Sequence, residues 1–167
     1  MTLEDKAFNG ILRHIEASDR LSLLSAHPPS GKSYNSDLIR IPSPQQDRTA
    51  STRAHIDIIF CSKSFLYLCE VKGDALESDN DIKKLRAIVE MYGVEGLKRL
   101  IANRLTHKDL NLRTVQKIIP AIGCASVSCE VERGMLYIIA SDEDGLILKG
   151  MVPRKVKSDF NLSQRQL

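Results

Sequence analysis

Residues Arg53 to Lys72 read RAHIDIIF-CSKS-FLYLCEVK, two strand-like apolar runs joined by the four turn-type residues Cys61 to Ser64. This pattern predicts a β-hairpin. The second run, Phe65 to Val71, is almost wholly apolar, yet Glu70 lies inside it and Lys72 follows it. Charged groups in such a run lose hydration, which is tolerated where they are paired or bind a metal. Tyr67, Cys69 and Val71 make the other face apolar too, so this strand is expected to be buried on both sides.

A tight turn over Cys61–Ser64 sets Phe60 against Phe65, Ile58 against Tyr67, Asp57 against Leu68 and His55 against Glu70. His55, Asp57, Ile59, Leu66, Leu68, Glu70 and Lys72 then share one face of the sheet. Asp57 and Glu70 become diagonal neighbours about 7–8 Å apart, within reach of one small divalent cation. Mg²⁺ suits such a pair, because it takes few protein carboxylates and keeps several waters for substrate oxygens. Lys72, two residues beyond Glu70, projects beside the same place. There it would orient or deprotonate an attacking water, or stabilise the charge on a pentavalent phosphorus.

Asp57, a hairpin, then Glu70-Val71-Lys72 resembles the D…E-x-K signature of the PD-(D/E)XK nuclease superfamily, which includes restriction endonucleases, Holliday-junction resolvases and repair nucleases. The resemblance covers Ala54 to Tyr92, including a helix after the lysine strand, about a quarter of the chain. It departs at Ile56, where the signature has a proline that does no chemistry. The resemblance implies a single restriction-endonuclease-like α/β domain over residues 1–152, with a central mixed β-sheet flanked by helices. Residues 153–167 would form a basic, poorly ordered C-terminal tail. By the same resemblance Asp57, Glu70 and the Val71 carbonyl hold Mg²⁺ or Mn²⁺, and Lys72 is the catalytic lysine. An acid from an early helix sometimes supports the metal in this superfamily, which makes Glu16, at the margin of the first helix's apolar stripe, a further candidate. The implied activity is metal-dependent hydrolysis of DNA phosphodiesters, and the superfamily's habit of pairing two sites suggests a homodimer.

Charge placement points the same way. The net charge is +3, but Ile82 to Lys117 carries nine basic residues against Glu90, Glu95 and Asp109. Within it Lys83, Lys84, Arg86, Lys98 and Arg99, with Arg53 beside the hairpin, are candidate phosphate contacts. A solvated helix face is the plain account of such a run taken alone, but beside the acidic site a polyanionic substrate explains it better.

Two other functions compete. Ala26-His27-Pro28-Pro29-Ser30-Gly31-Lys32-Ser33 fits a loose phosphate-binding loop, with alanine at the first glycine. Such a loop must run straight into a helix whose amides hold the phosphate. The sequel YNSDLIRIPSP is too short for that helix, and two prolines remove amide donors. The other competitor is a catalytically silent member of the same fold that only binds DNA, although such a module has no need of Asp57, Glu70 and Lys72 together.

With 167 residues, the chain is long enough for one domain with a sizeable core. It lacks an apolar run of membrane-spanning length, and MTLEDKAFNG has no secretory character, so a cytoplasmic protein is expected. Cys61, Cys69, Cys124 and Cys129 lack a CxxC pairing with histidines and read as reduced thiols.

Leu3 to Ala17 has Phe8, Ile11, Leu12 and Ile15 at helical spacing after Thr2 as N-cap. Ser18 to Thr52 reads as mostly loop, with a short strand near Leu38 to Ile41. A second helix is expected from Ser78 to Gly93, with Asp81 at its capping-box position, and a third from about Val94 to Leu105. Lys117 to Ala125, Met135 to Ser141 and Leu146 to Val152 read as strands, with DEDG at Asp142 to Gly145 as a turn.

Overall fold

Thr2 starts the first helix as expected. In the computed structural model, which describes residues 1–28, 39–42, 55–105, 112–141 and 145–161, Thr2 Oγ1 accepts the N–H of Asp5 and Asp5 Oδ2 accepts the N–H of Thr2, each at 3.1 Å. That reciprocal pair satisfies two donors that the first turn would otherwise leave open. Helix α1 (Leu3–Ala17) buries Ala7, Phe8, Ile11, Leu12 and Ile15. Each fully buried Ile or Phe contributes about 1.5–3 kcal/mol.

Six strands follow: β1 (Ser22–Ala26), β2 (Ile58–Cys61), β3 (Phe65–Val71), β4 (Lys117–Cys124), β5 (Leu136–Ser141) and β6 (Gly145–Gly150). They form one sheet in the order β1-β2-β3-β4-β5-β6. β3 runs parallel to β4 and β4 to β5, while the β1–β2, β2–β3 and β5–β6 pairs are antiparallel. The mixed α/β sheet flanked by helices matches the coarse expectation. β1 was not anticipated: Ser22 and Ser25 interrupt its apolar alternation, and its polar setting made the segment read as loop. Leu38 lies outside the described residues, as does the Asp142–Glu143–Asp144 part of the expected turn; Arg40 forms an isolated bridge with His55.

The hairpin differs from its expected register by two residues. Cys61 pairs with Leu66, Phe60 with Tyr67, Ile59 with Leu68 and Ile58 with Cys69. The Ser62 hydroxyl accepts the N–H groups of Ser64 and Phe65 at 3.3 and 3.1 Å, which draws Phe65 into the turn. A shift of two preserves the facing of every side chain. One more step along this ladder sets Asp57 opposite Glu70, rather than diagonal to it.

All seven residues of β3 are buried. One core lies between the sheet and α1 and includes Phe60, Tyr67, Cys69 and Val71. The second lies under α2 (Asp79–Ala102) and includes Ile59, Leu66, Leu68, Ile82, Leu85 and Ile88. The two helices expected over residues 78–105 therefore run end to end as α2, broken at Gly93 by φ 64° and ψ 176°. Such a φ favours glycine, because a Cβ would crowd the backbone. Ser78 precedes α2, but its hydroxyl donates to the Ala75 carbonyl and does not cap the helix.

Residues beyond Pro153 begin with helix α3 (Arg154–Phe160), whose Val156 and Phe160 join the α1-side core. Its amphipathic signal is only two apolar residues in seven, too little to stand out from a basic tail. Cys61, Cys69 and Cys124 are buried and Cys129 is half-buried, all as free thiols. Burial pushes the Cys61 thiol up to about 11. Among the described residues no helix is long and apolar enough to cross a membrane.

Candidate functional site

Glu70 stands one residue from the carboxyl end of β3, between the parallel partner β4 and the strand that Asp57 leads into. Asp57 is fastened from two sides. Its Oδ2 accepts the Val71 N–H at 2.8 Å, and its carbonyl accepts the His27 N–H at 2.7 Å. The hairpin and the end of β1 thus hold the Asp57 backbone and side chain together.

Glu70 is only 4% exposed. Burial raises its carboxyl well above the ordinary carboxylate range, and the charge of the neighbouring Asp57 carboxyl raises it further. Lys84 opposes that shift from the second turn of α2. Its Nζ donates to Glu70 Oε1 at 2.6 Å and to the His55 carbonyl at 2.8 Å. The His55 and His27 rings stack beside Asp57, with centroids 4.5 Å apart. Burial lowers the pKa of both rings, and the Asp57 carboxylate works against it in each case.

Lys72 faces a different acid. Its Nζ lies 3.6 Å from Asp81 Oδ2, an ion pair too long for a hydrogen bond. Asp81 Oδ2 is buried with no hydrogen-bond donor. Burial raises the Asp81 carboxyl, against the pull of Lys72. Burial also works against the Lys72 ammonium, but Asp81 and Glu4 outweigh it and hold its pKa above the ordinary lysine value. Lys72 is therefore a cation at neutral pH.

Glu4 reaches this end of the sheet because the start of α1 sits against Gly73. A Cβ at Gly73 would lie 3.3 Å from Leu3 Cβ and 3.7 Å from the Glu4 nitrogen. Burial raises the Glu4 carboxyl, Lys72 lowers it, and Asp57 and Asp81 raise it again. The acid that α1 contributes is thus Glu4 and not Glu16. Glu16 is exposed and lies about 18 Å farther along the helix at 1.5 Å per residue.

Of the residues singled out from sequence, Asp57, Glu70, Val71 and Lys72 come together, and Lys84 joins them as the partner of Glu70 instead of lying on the open surface. Lys83, Arg86 and Arg99 are exposed on α2. Arg86 pairs with Glu132 at 3.3 Å and donates to the Arg133 carbonyl at 2.7 Å. Lys98 is 13% exposed and donates to the carbonyls of Arg113 and Val115, so it fastens α2 to the chain leading into β4. Arg53 and residues 29–33 of the phosphate-loop candidate lie outside the described residues. Sequence reasoning missed Glu4, Asp81 and the inward role of Lys84. The signal for the last two was available: Asp81 and Lys84 are three apart in the first turns of the helix that follows Lys72, which aims both at the end of β3.

Four carboxyl groups, Glu4, Asp57, Glu70 and Asp81, face two ammonium groups, Lys72 and Lys84. Such an excess of hard oxygen donors fits Mg²⁺ or Mn²⁺ better than a soft metal. Among the described residues no group of three His, Cys, Asp or Glu side chains is arranged to hold a metal ion, so a cation here would rest on the Asp57–Glu70 pair and backbone or water oxygens. A separate cavity of about 390 Å³, lined in part by Arg20, Cys61, Lys63 and Asp159, opens at the opposite end of β2. Its Arg20 is engaged by Ser158 and its Asp159 by the Tyr67 hydroxyl. The chain matches no family model, no curated protein and no solved structure.

Proposed function

We propose that this chain is a metal-dependent DNA nuclease of the PD-(D/E)XK type, with a restriction-endonuclease-like fold, in which Asp57 and Glu70 bind the metal and Lys72 is the catalytic lysine. The observation that carries this reading is the register that sets Asp57 opposite Glu70 at the end of a buried strand, with Lys72 two residues on. A buried acid is set opposite a half-buried one at a cost that packing alone does not explain. Their position also supports a ligand site, since open α/β sheets bind ligands beyond the carboxyl ends of parallel strands.

Mg²⁺ or Mn²⁺ held by Asp57, Glu70 and the Val71 carbonyl would supply positive charge to a phosphodiester and acidify a water. The chain's own residues divide the remaining work. The Val71 N–H holds Asp57 in place. Lys72, kept protonated by Asp81 and Glu4, stabilises negative charge gathering on the phosphate oxygens. As an ammonium it is a poor base, so deprotonating the water falls to another group. Lys83 and Arg99, exposed on α2, contact the DNA backbone through its phosphates. Many nucleases of this superfamily pair two such centres to cut the two strands of a duplex, so a homodimer belongs to this reading.

A second reading draws support from the Lys84–Glu70 pair. At 2.6 Å that pair satisfies Glu70 without any metal, as a silent, DNA-binding member of the same fold would require. One experiment separates the two. Supercoiled, linear, single-stranded and branched DNA are incubated with the protein in Mg²⁺, Mn²⁺ or EDTA. Metal-dependent nicking that disappears in Glu70→Gln supports the nuclease. DNA retention without cleavage of any form in either metal would favour the silent member.

A further inference from the structure

We propose that Lys84 is the internal counter-ion of this site, and that it leaves Glu70 when a divalent cation reaches the Asp57–Glu70 pair. The proposal rests on the reading of that pair as a cation site and adds how the site is kept in order beforehand. The Lys84 ammonium lies 2.6 Å from Glu70 Oε1 and 2.8 Å from the His55 carbonyl, one oxygen from β3 and the other from the segment that leads into β2. A compact positive charge on oxygen donors is what a hard cation would also offer.

Two features make the ammonium exchangeable and not permanent. The Glu70 side chain is 6% exposed, whereas that of Lys84 is 23% exposed. The acid is therefore enclosed while the base retains a path to solvent along its flexible four-carbon stem. Lys84 also belongs to α2 and not to the sheet, so its departure leaves the β2–β3 ladder and the Asp57–Val71 hydrogen bond untouched. Without an ammonium, Glu70 would be a buried carboxyl facing Asp57 with no positive charge to offset either, which is the costly arrangement. With it, Glu70 is already desolvated and aimed. The cation then replaces one positive charge with two.

The test reads Lys84 directly. The wild-type protein is labelled with an amine-acylating reagent in EDTA, in Mg²⁺ and in Mn²⁺, and each lysine is quantified by peptide mass spectrometry. Calorimetry on wild type and Asp57→Asn establishes whether the cation binds through Asp57. Exchange predicts that the Lys84 labelling rate rises by roughly fivefold or more on cation binding, the factor by which losing one modest ion pair changes a population. Lys83, its exposed neighbour, should label at the same rate in all three conditions. Unchanged or slower labelling of Lys84, with Asp57-dependent binding present, would overturn the exchange while leaving the cation site standing. No Asp57-dependent binding would overturn both. Lys84→Met supplies an independent arm: at pH 8 the cation should raise its melting temperature more than it raises that of wild type. A smaller rise would mean that Lys84 supports the cation instead of giving way to it.

Discussion

Asp57 Oδ2 accepts the backbone N–H of Val71 at 2.8 Å, so one member of the carboxyl pair is fastened to the strand that carries the other. The bond separates the two tasks of Asp57. Its oxygen holds the hairpin end together, and its charge is what a cation would meet.

Asp57→Asn and Asp57→Ala should therefore part company. Asparagine keeps an acceptor for the Val71 N–H and loses only the charge. We expect it to abolish metal binding and cleavage with a melting temperature close to wild type. Alanine also orphans a part-buried N–H, which costs about 1–3 kcal/mol. Thermal denaturation alongside a nicking assay checks both. An Asp57→Asn protein that still cleaves would remove Asp57 from the site.

His14, His27 and His55 should each withdraw stability from the metal-free protein in mild acid. Burial lowers the pKa of His14, against the pull of the Phe160 carbonyl 3.1 Å from its Nε2. His27 and His55 are lowered by burial as well. A histidine whose folded pKa lies below its unfolded value of about 6.5 favours folding above that pH. The contribution is lost as pH drops through the folded value. Glu4, Glu70 and Asp81, whose carboxyls burial raises, act in the opposite sense by favouring folding as they take up protons. The test is therefore a difference: from pH 7 to pH 5 in EDTA the melting temperature of wild type should fall relative to that of His14→Gln. A difference between the two proteins that stays flat over that range would contradict the burial of His14.

The basic run along α2 divides into structural and exposed groups. Lys98 donates to two backbone carbonyls and is largely enclosed, so Lys98→Ala should destabilise by about 1–3 kcal/mol. Lys83 and Arg99 are exposed. The double variant Lys83→Glu, Arg99→Glu should bind all DNA sequences more weakly and lower the salt slope by about two. Unchanged affinity and slope would leave these residues as a solvated face.

Much of this site was legible because strand parity is robust. The turn was misplaced by one residue and the register by two, yet Asp57 and Glu70 stayed on the same face, since only an odd slip would have reversed one of them. The contact between Ser62 and the Phe65 N–H, which set the true register, depends on a hydroxyl rotamer that apolar alternation does not encode. Glu4 was illegible for a different reason. Its place depends on how closely α1 approaches Gly73, a tertiary contact between segments nearly seventy residues apart. Glu16 looked better only because it bordered the apolar stripe, and a stripe fixes a helix face without saying which end meets the site. From sequence Lys84 reads as a surface phosphate contact, because a charge run gives no hint of which member turns inward.

Lys72 gives the sharpest test of mechanism, because its surroundings decide between two roles that its identity leaves open. A lysine that deprotonates water must lose its own proton near the working pH, and apolar burial would help it do so. Here burial is outweighed by Asp81, 3.6 Å away, and by Glu4, and the ammonium is held above the ordinary lysine value. Cleavage that depends on the charged form should therefore show no rising limb contributed by Lys72, and its alkaline fall should lie above that of an ordinary lysine. Lys72→Met should lower cleavage by at least about 10², while leaving the calorimetric heat of metal binding in place. Lys72→Arg keeps the charge and should retain more activity than methionine, although its fork fits the space beside Asp81 less well. Asp81→Asn removes the larger of the two carboxylate contributions and should move the alkaline fall to lower pH without abolishing turnover. If Lys72→Arg is as dead as Lys72→Met, and Asp81→Asn raises activity at neutral pH, Lys72 acts as a base and the electrostatic role assigned to it is wrong.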